Sequence, residues 1–253
     1  MDHPQAPVLD DRMASNKVLE RAQELMADAV HAEQTFFSTC GSSLSVKSAM
    51  LAVAGPGEKL LVGRDAHKAV VSGLILSGVR PIWVEPQWDA SRNLAHPPSP
   101  DAFAARLDEH PDARGALVTS PTPYGTCADL AAIAAACHER GKPLIVDEAW
   151  GRAPAVPPRH PHVGDGLRRR RVRDERPQDG RRARTGSVFH QQGNLVAPAV
   201  LKAREDLLGT TSPSVLIYAG LDGWRRQMVE HGHALLQDAL DLAAGVRAEI
   251  ADI

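Results

Sequence analysis

The fold of this chain is decided by one stretch near its middle, Pro143-Leu144-Ile145-Val146-Asp147-Glu148-Ala149-Trp150-Gly151. Its apolar residues, two of them β-branched, are typical of a short strand buried in a sheet. The strand runs directly into two carboxylates, an aromatic residue and a glycine. Because ligands bind at the carboxyl ends of strands in open parallel sheets, Asp147 is a candidate binding-site residue.

Short strands and helices alternate on both sides of this stretch. The pattern predicts further strands at 35–39, 59–62, 81–84, 115–119 and 186–190, and helices at 14–31, 44–54, 69–76, 101–107, 129–140, 198–208 and from 215 onwards. We expect 87–98 to be a polar loop. The alternation predicts an α/β fold: a three-layer α/β/α arrangement around a mainly parallel sheet.

The composition is that of a globular protein with a sizeable core. Of the 253 residues, 43% are hydrophobic, and the mean hydropathy is −0.25. No apolar run reaches the roughly 18 residues that a membrane span needs, and nothing resembles a signal peptide. Three cysteines indicate a reducing compartment, so we expect a cytoplasmic protein without a membrane partner. A P-loop motif is absent, and so is the dinucleotide-binding glycine motif after the first strand.

Charge is distributed unevenly along the chain. Residues 152–185 contain eleven Arg against three Asp and one Glu, a net charge of +7. The total is −2, which leaves −9 on the rest of the chain. An acidic body is typical of an enzyme rather than of a nucleic-acid-binding surface, so we expect no nucleic-acid partner.

A second candidate site precedes the helix at 44–54. Gly41, Ser42 and Ser43 offer backbone N–H groups, hydroxyls and the positive end of a helix dipole to an anion. Taken alone, the three residues are more typical of an ordinary helix cap than of an anion site. His67 alone could likewise be a loop histidine with its own hydrogen bonds, and Asp147 alone a helix cap.

Five motifs in order carry a family resemblance. They are Phe36-Phe37-Ser38-Thr39-Cys40-Gly41-Ser42-Ser43, Asp65-Ala66-His67-Lys68, Thr119-Ser120-Pro121-Thr122-Pro123-Tyr124-Gly125, Val146-Asp147-Glu148-Ala149-Trp150-Gly151 and Thr211-Ser212-Pro213-Ser214. The chain resembles the major domain of the Orn/Lys/Arg decarboxylases, which are pyridoxal-phosphate enzymes with the aspartate-aminotransferase fold. The resemblance implies one truncated cofactor-binding large domain over 1–253, without the family's C-terminal small domain and N-terminal lead-in.

The resemblance also implies roles for the site residues. Gly41, Ser42 and Ser43 would bind the phosphate of pyridoxal phosphate. His67 would stack on the pyridine ring, and Trp150 would lie beside it. Asp147 would pair with the ring nitrogen. Ser212 would contact the phosphate of the neighbouring subunit, which implies a homodimer or a higher homo-oligomer. The implied substrate is a basic amino acid, and no metal is expected.

The lysine that forms the Schiff base with this cofactor is missing. The family carries it in a Ser-x-His-Lys motif one strand after the Asp-Glu-Ala motif, and family spacing places it at Gln178. Residues 152–185 contain no lysine. The strand expected before the motif is replaced by residues 168–173, in which five of six residues are Arg. None of Lys47, Lys59, Lys68, Lys142 and Lys202 lies on that strand.

A frame shift explains the segment 152–185 better than divergence does. Residues 172–179 can be encoded as GTG CGT GAC GAG CGT CCA CAA GAC, which gives Cys-Val-Thr-Ser-Val-His-Lys when read one base later. Residues 152–159 likewise permit Ala-His-Leu-Pro-Phe-His-Pro. One extra base near codon 151 and one lost near codon 185 would restore the frame at Gly186. The rival interpretation, a basic insert that binds a polyanion, rests on the Arg run at 168–171.

The sequence therefore predicts a pyridoxal-phosphate-dependent decarboxylase of arginine, lysine or ornithine, impaired in this copy by loss of its lysine. Two alternatives stay open. One is another reaction of the same fold, such as transamination, and the other is a degenerate domain that only binds or dimerises.

Overall fold

The computed structural model describes residues 17–151, 170–174 and 186–251. The strands in these ranges are β1 Gln34–Ser38, β2 Lys59–Gly63, β3 Arg80–Val84, β4 Gln87–Asp89, β5 Leu94–His96, β6 Ala116–Thr119, β7 Leu144–Asp147, β8 Arg170–Asp174 and β9 Ser187–Gln191. The helices are α1 Val18–Ala29, α2 Ser42–Val53, α3 Lys68–Ser77, α4 Pro100–Glu109, α5 Leu130–His138, α6 Pro198–Leu208 and α7 Val215–Ala251.

Seven strands form one sheet in the order β1-β9-β8-β7-β6-β2-β3. The strands from β8 to β3 pair in parallel, and β9 is antiparallel to both of its neighbours. β1 therefore runs in the same direction as β8. As a result, six strands have their carboxyl ends, and β9 its amino end, along one border of the sheet, which we call the carboxyl edge.

Helices cover both faces of this sheet. Leu117, Ile145 and Phe189 pack on one face in a cluster that includes residues of α2, α3 and α6, and we call this the α2 face. Phe189 stacks on Phe36 with ring centroids 5.2 Å apart. The opposite face packs against α4 and α5, and near β1 and β9 against α1 and α7. The predicted three-layer α/β/α fold is confirmed.

The structure differs from the sequence prediction in one element and at several helix and strand ends. The expected polar loop at 87–98 is wrong, because β4 and β5 form a two-stranded hairpin there. Its turn is fixed by the carboxylate of Asp89, which accepts hydrogen bonds from the backbone N–H groups of Ser91 at 2.9 Å and Arg92 at 3.1 Å. Strands of three residues are too short to show alternation. α2 also begins at Ser42, two residues before the predicted start.

The segment 152–185 enters the described structure only through the backbone of β8. This strand follows β7 along the chain and pairs with it in parallel, Val172 opposite Asp147. Gln178 and the rest of the segment lie outside the described residues, so the frame shift stays a hypothesis. That 1–253 forms a single domain also stays a prediction. No helix in the described ranges combines the length and the apolar character needed to cross a bilayer.

Candidate active site

Asp147 lies at the centre of the carboxyl edge. It is the last residue of β7, its side chain is 2% exposed, and its Oδ1 accepts a hydrogen bond from the backbone N–H of Ala149 at 3.1 Å. Ile145, two residues earlier, packs on the α2 face. Since side chains two residues apart in a strand share a face, Asp147 also faces α2.

The N-terminus of α2 lies at the same edge, directly after β1. Gly41, the residue before the helix, has φ 78° and ψ 167°, a conformation that is essentially restricted to glycine. The first N–H groups of a helix have no acceptor inside it. In α4 and α5 the side chains of Ser99 and Asp129 accept from such a group, whereas Gly41 has no side chain to do so. Here Ser42 is buried and Ser43 is exposed.

Close packing fixes the position of α2 over the sheet. The helix lies against β7, β8 and β9, and the hydroxyls of Ser45 and Ser187 are hydrogen-bonded at 2.5 Å. α3 approaches α2 so closely that a Cβ on Gly73 would lie 2.6 Å from the Sδ atom of Met50. This packing fixes the N-terminus of α2 relative to the strand that carries Asp147.

His67 caps α3 at the carboxyl end of β2. Its Nδ1 accepts from the backbone N–H of Ala69 at 3.2 Å, so the neutral ring carries its proton on Nε2. The ring is exposed. β2 lies two strands from β7, so roughly 10 Å separates the two strands. His67 and Asp147 therefore both lie at the carboxyl edge.

Trp150 and Ser212 occupy connecting segments. Trp150 is 50% exposed, in a turn where the N–H of Gly151 donates to the carbonyl of Glu148 at 2.7 Å. Ser212 is exposed between α6 and α7, and its N–H donates to Thr210 Oγ1 at 3.1 Å. The roles of both residues at the cofactor stay predictions.

Two polar residues of the edge had no role assigned from sequence. Thr119 ends β6 opposite Asp147, is 1% exposed, and its hydroxyl has no hydrogen-bond partner in the described structure. Asp65 follows β2, and neither of its buried carboxylate oxygens has a partner there. Burial raises the pKa of the Asp65 carboxyl above its ordinary value. Both lie within the quoted motifs, but only strand register shows the position of Thr119.

Within the described ranges, no cluster of three or more His, Cys, Asp or Glu could hold a metal ion.

The family assignment follows from comparison with known proteins. The family described as "Orn/Lys/Arg decarboxylase, major domain" matches residues 4–167, more than half of the chain. The chain belongs to this family. The arginine decarboxylase of Bacillus subtilis is 34% identical over 257 residues, which cover 97% of this chain and 50% of that protein. The arginine decarboxylase of Halalkalibacterium halodurans is also 34% identical, covering 96% and 49%. The chain thus spans about half the length of the curated relatives it matches.

Solved structures of this decarboxylase family and of an aminotransferase share the fold. The constitutive lysine decarboxylase of E. coli superposes with a TM-score of 0.73 at 21% identity, over 91% of this chain and 34% of that one. N-succinyldiaminopimelate aminotransferase of Mycobacterium tuberculosis gives a TM-score of 0.61 at 18% identity, covering 91% and 62%. The family points to pyridoxal phosphate as the cofactor.

The described residues fit this cofactor. Its phosphate suits the N-terminus of α2, where the cap residue Gly41 has no side chain that accepts from the first N–H groups. Its protonated ring nitrogen suits a buried carboxylate, and Asp147 supplies one on the α2 face. The buried hydroxyl of Thr119 adds a further polar group at the same place.

Proposed function

We propose that this chain is the cofactor-binding part of a decarboxylase that acts on arginine, lysine or ornithine. The observation that carries the proposal is the buried Asp147 carboxylate, which lies on the same face and edge of the sheet as the N-terminus of α2. The arginine and lysine decarboxylases among its relatives support the class of substrate.

Each predicted site residue then has a physical task. Backbone N–H groups at Ser42 and Ser43, with their hydroxyls, bind the phosphate, and Gly41 permits its close approach. Asp147 holds a proton on the ring nitrogen, His67 stacks on the ring, and Trp150 lies beside it. When bound, pyridoxal phosphate supplies an electron sink for the electron pair left as carbon dioxide departs.

We further propose that this copy is catalytically impaired because no lysine lies between β7 and β9, where the family carries the lysine that holds the cofactor. Lys59 lies at the opposite edge and pairs with Asp112 at 2.8 Å, and Lys142 precedes β7 at that same edge. Lys202 pairs with acids on α6. The family match ends at residue 167, inside the segment 152–185 that the frame-shift hypothesis covers.

The same fold also supports transamination, since an aminotransferase is among its structural neighbours. A non-catalytic domain that binds the cofactor or dimerises is the third candidate. Reaction products separate these candidates, because a decarboxylase releases carbon dioxide and an aminotransferase yields an oxo acid.

The proposal is tested on two proteins. This chain is expected to bind pyridoxamine 5′-phosphate, a ligand that needs no lysine, and to bind pyridoxamine at least about tenfold more weakly, as judged by titration calorimetry. A version with 152–185 replaced by the frame-restored sequence is expected to release carbon dioxide from a basic amino acid. Lack of binding by the first protein would refute the cofactor site. A restored protein that acts on none of the three amino acids would refute the decarboxylase assignment.

We propose that the chain forms a homodimer in which Ser212 contacts the phosphate bound by the partner. Its exposure between α6 and α7 is what such a contact requires. Light scattering is expected to give twice the mass of one chain, and S212A is expected to weaken binding of pyridoxamine 5′-phosphate about threefold to tenfold. A monomeric chain, or S212A with unchanged affinity, would refute this role.

A further inference from the structure

Thr119 is a polar residue in a place where polar groups are costly. Its side chain is 1% exposed, and its Oγ1 has no hydrogen-bond partner in the described structure. Burial removes a hydroxyl from its hydrogen bonds with water, which costs free energy unless a protein group replaces them. Buried hydroxyls in native proteins therefore nearly always have a hydrogen-bond partner. The side chain therefore calls for a partner that a bound ligand brings or orients.

Strand register places this hydroxyl beside Asp147. Thr119 and Asp147 are paired residues on the parallel strands β6 and β7, so their side chains point to the same face. Neighbouring strands lie about 4.8 Å apart, which lets a rotation about the threonine χ1 angle bring its hydroxyl within hydrogen-bond reach of the carboxylate. The ladder continues one residue further, where the N–H of Ser120 donates to the carbonyl of Asp147 at 3.0 Å.

A carboxylate can accept this donor together with others. An ionised carboxylate offers about four acceptor positions, and Oδ1 of Asp147 accepts the N–H of Ala149. The proposed ring nitrogen takes another position. A hydroxyl donating to the same group would fix its rotation, so that one oxygen stays directed at the ring.

We propose that Thr119 is a positioning residue for Asp147, whose hydroxyl donates to the carboxylate in the ligand-loaded protein and holds it towards the ring nitrogen. The inference rests on the proposed cofactor site. Thr119 acts through Asp147 and does not touch the reacting atoms.

The test uses the whole chain and pyridoxamine 5′-phosphate as the probe. T119V keeps the shape of the side chain and removes its hydroxyl, and is expected to weaken binding about tenfold. T119S keeps the hydroxyl and is expected to bind within about threefold of the unchanged chain. The apparent pKa of the bound ring nitrogen, followed by ultraviolet absorbance, is expected to be lower in T119V, since a poorly oriented carboxylate stabilises the protonated ring less.

Thr35 offers a matched control. It is a buried threonine of the same sheet, in β1, and its Oγ1 is hydrogen-bonded to Nδ1 of His190 at 2.8 Å. Phe36, the next residue, packs on the α2 face, so Thr35 points to the opposite face. T35V is expected to lower the melting temperature without changing the affinity for the probe.

A double-mutant cycle with D147N separates positioning from a merely structural effect. If Thr119 acts through the carboxylate, T119V has no further effect once D147N is present. If the chain without substitutions binds the probe, and T119V has the same affinity and the same ring pKa, the inference is overturned and the cofactor site stands. An equal loss from T119V with and without D147N would also overturn it. If the chain without substitutions does not bind the probe, both the inference and the cofactor site are overturned.

Discussion

D147N is expected to weaken the binding of pyridoxamine 5′-phosphate by about 100-fold or more, because it leaves the buried ring nitrogen without its charged partner. The side chain of Asp147 is 2% exposed, so water cannot replace the lost carboxylate. The amide has nearly the same shape and can still accept the N–H of Ala149. The loss therefore reports the charge of Asp147 rather than the packing around β7. Titration calorimetry at neutral pH measures it.

Asp65 provides the control for this prediction. It is a second carboxyl group at the carboxyl edge with both oxygens buried, and burial raises its pKa. D65N makes the same chemical change outside the proposed binding residues and is expected to alter the affinity less than about twofold. If D147N binds the probe as tightly as the unchanged chain, Asp147 is not the partner of the ring nitrogen. If D65N shows the larger loss, the ring lies nearer β2 than proposed.

Much of the layered fold could be predicted because its local signals are strong. Apolar runs such as 144–146 are buried strands, and α6 has the predicted bounds. Ser99 and Asp129 cap α4 and α5 with their own side chains, as their residue types favour. Gly78 ends α3 in the left-handed conformation, with φ 65°. These features depend on a few adjacent residues, which is why sequence alone reveals them.

The sheet order and the fine structure of the site depend on distant contacts. Nothing local indicates that β9 inserts between β1 and β8, antiparallel to both. The position of Thr119 opposite Asp147 likewise arises only when β6 and β7 pair. Asp147 was found because it ends a strand, and its role came from the family resemblance. Thr119 also ends its strand, but threonine is an ordinary strand residue and gives no such signal.

Borohydride reduction after incubation with pyridoxal phosphate is expected to leave no site-specific label on this chain. The six lysines are at 17, 47, 59, 68, 142 and 202, and none lies between β7 and β9. In the frame-restored version a lysine replaces Gln178, four residues beyond the end of β8. β8 pairs with β7 beside Asp147, so the segment that follows it begins at the carboxyl edge. We expect that lysine to become the labelled residue, identified by peptide mapping.

Surface lysines also react with aldehydes, so specificity decides the outcome. Label at the proposed site must be prevented by excess pyridoxamine 5′-phosphate, whereas label on lysines away from it, such as Lys59 at the opposite edge, must persist. The matched control is the frame-restored chain with alanine at the lysine position, which is expected to lose both the protected label and the release of carbon dioxide. A protected label on any of the six lysines of the unchanged chain, together with turnover of a basic amino acid, would show that this copy is competent. The missing lysine would then be supplied from another element, and Lys68, at the start of α3 beside His67, is the lysine that lies at the carboxyl edge.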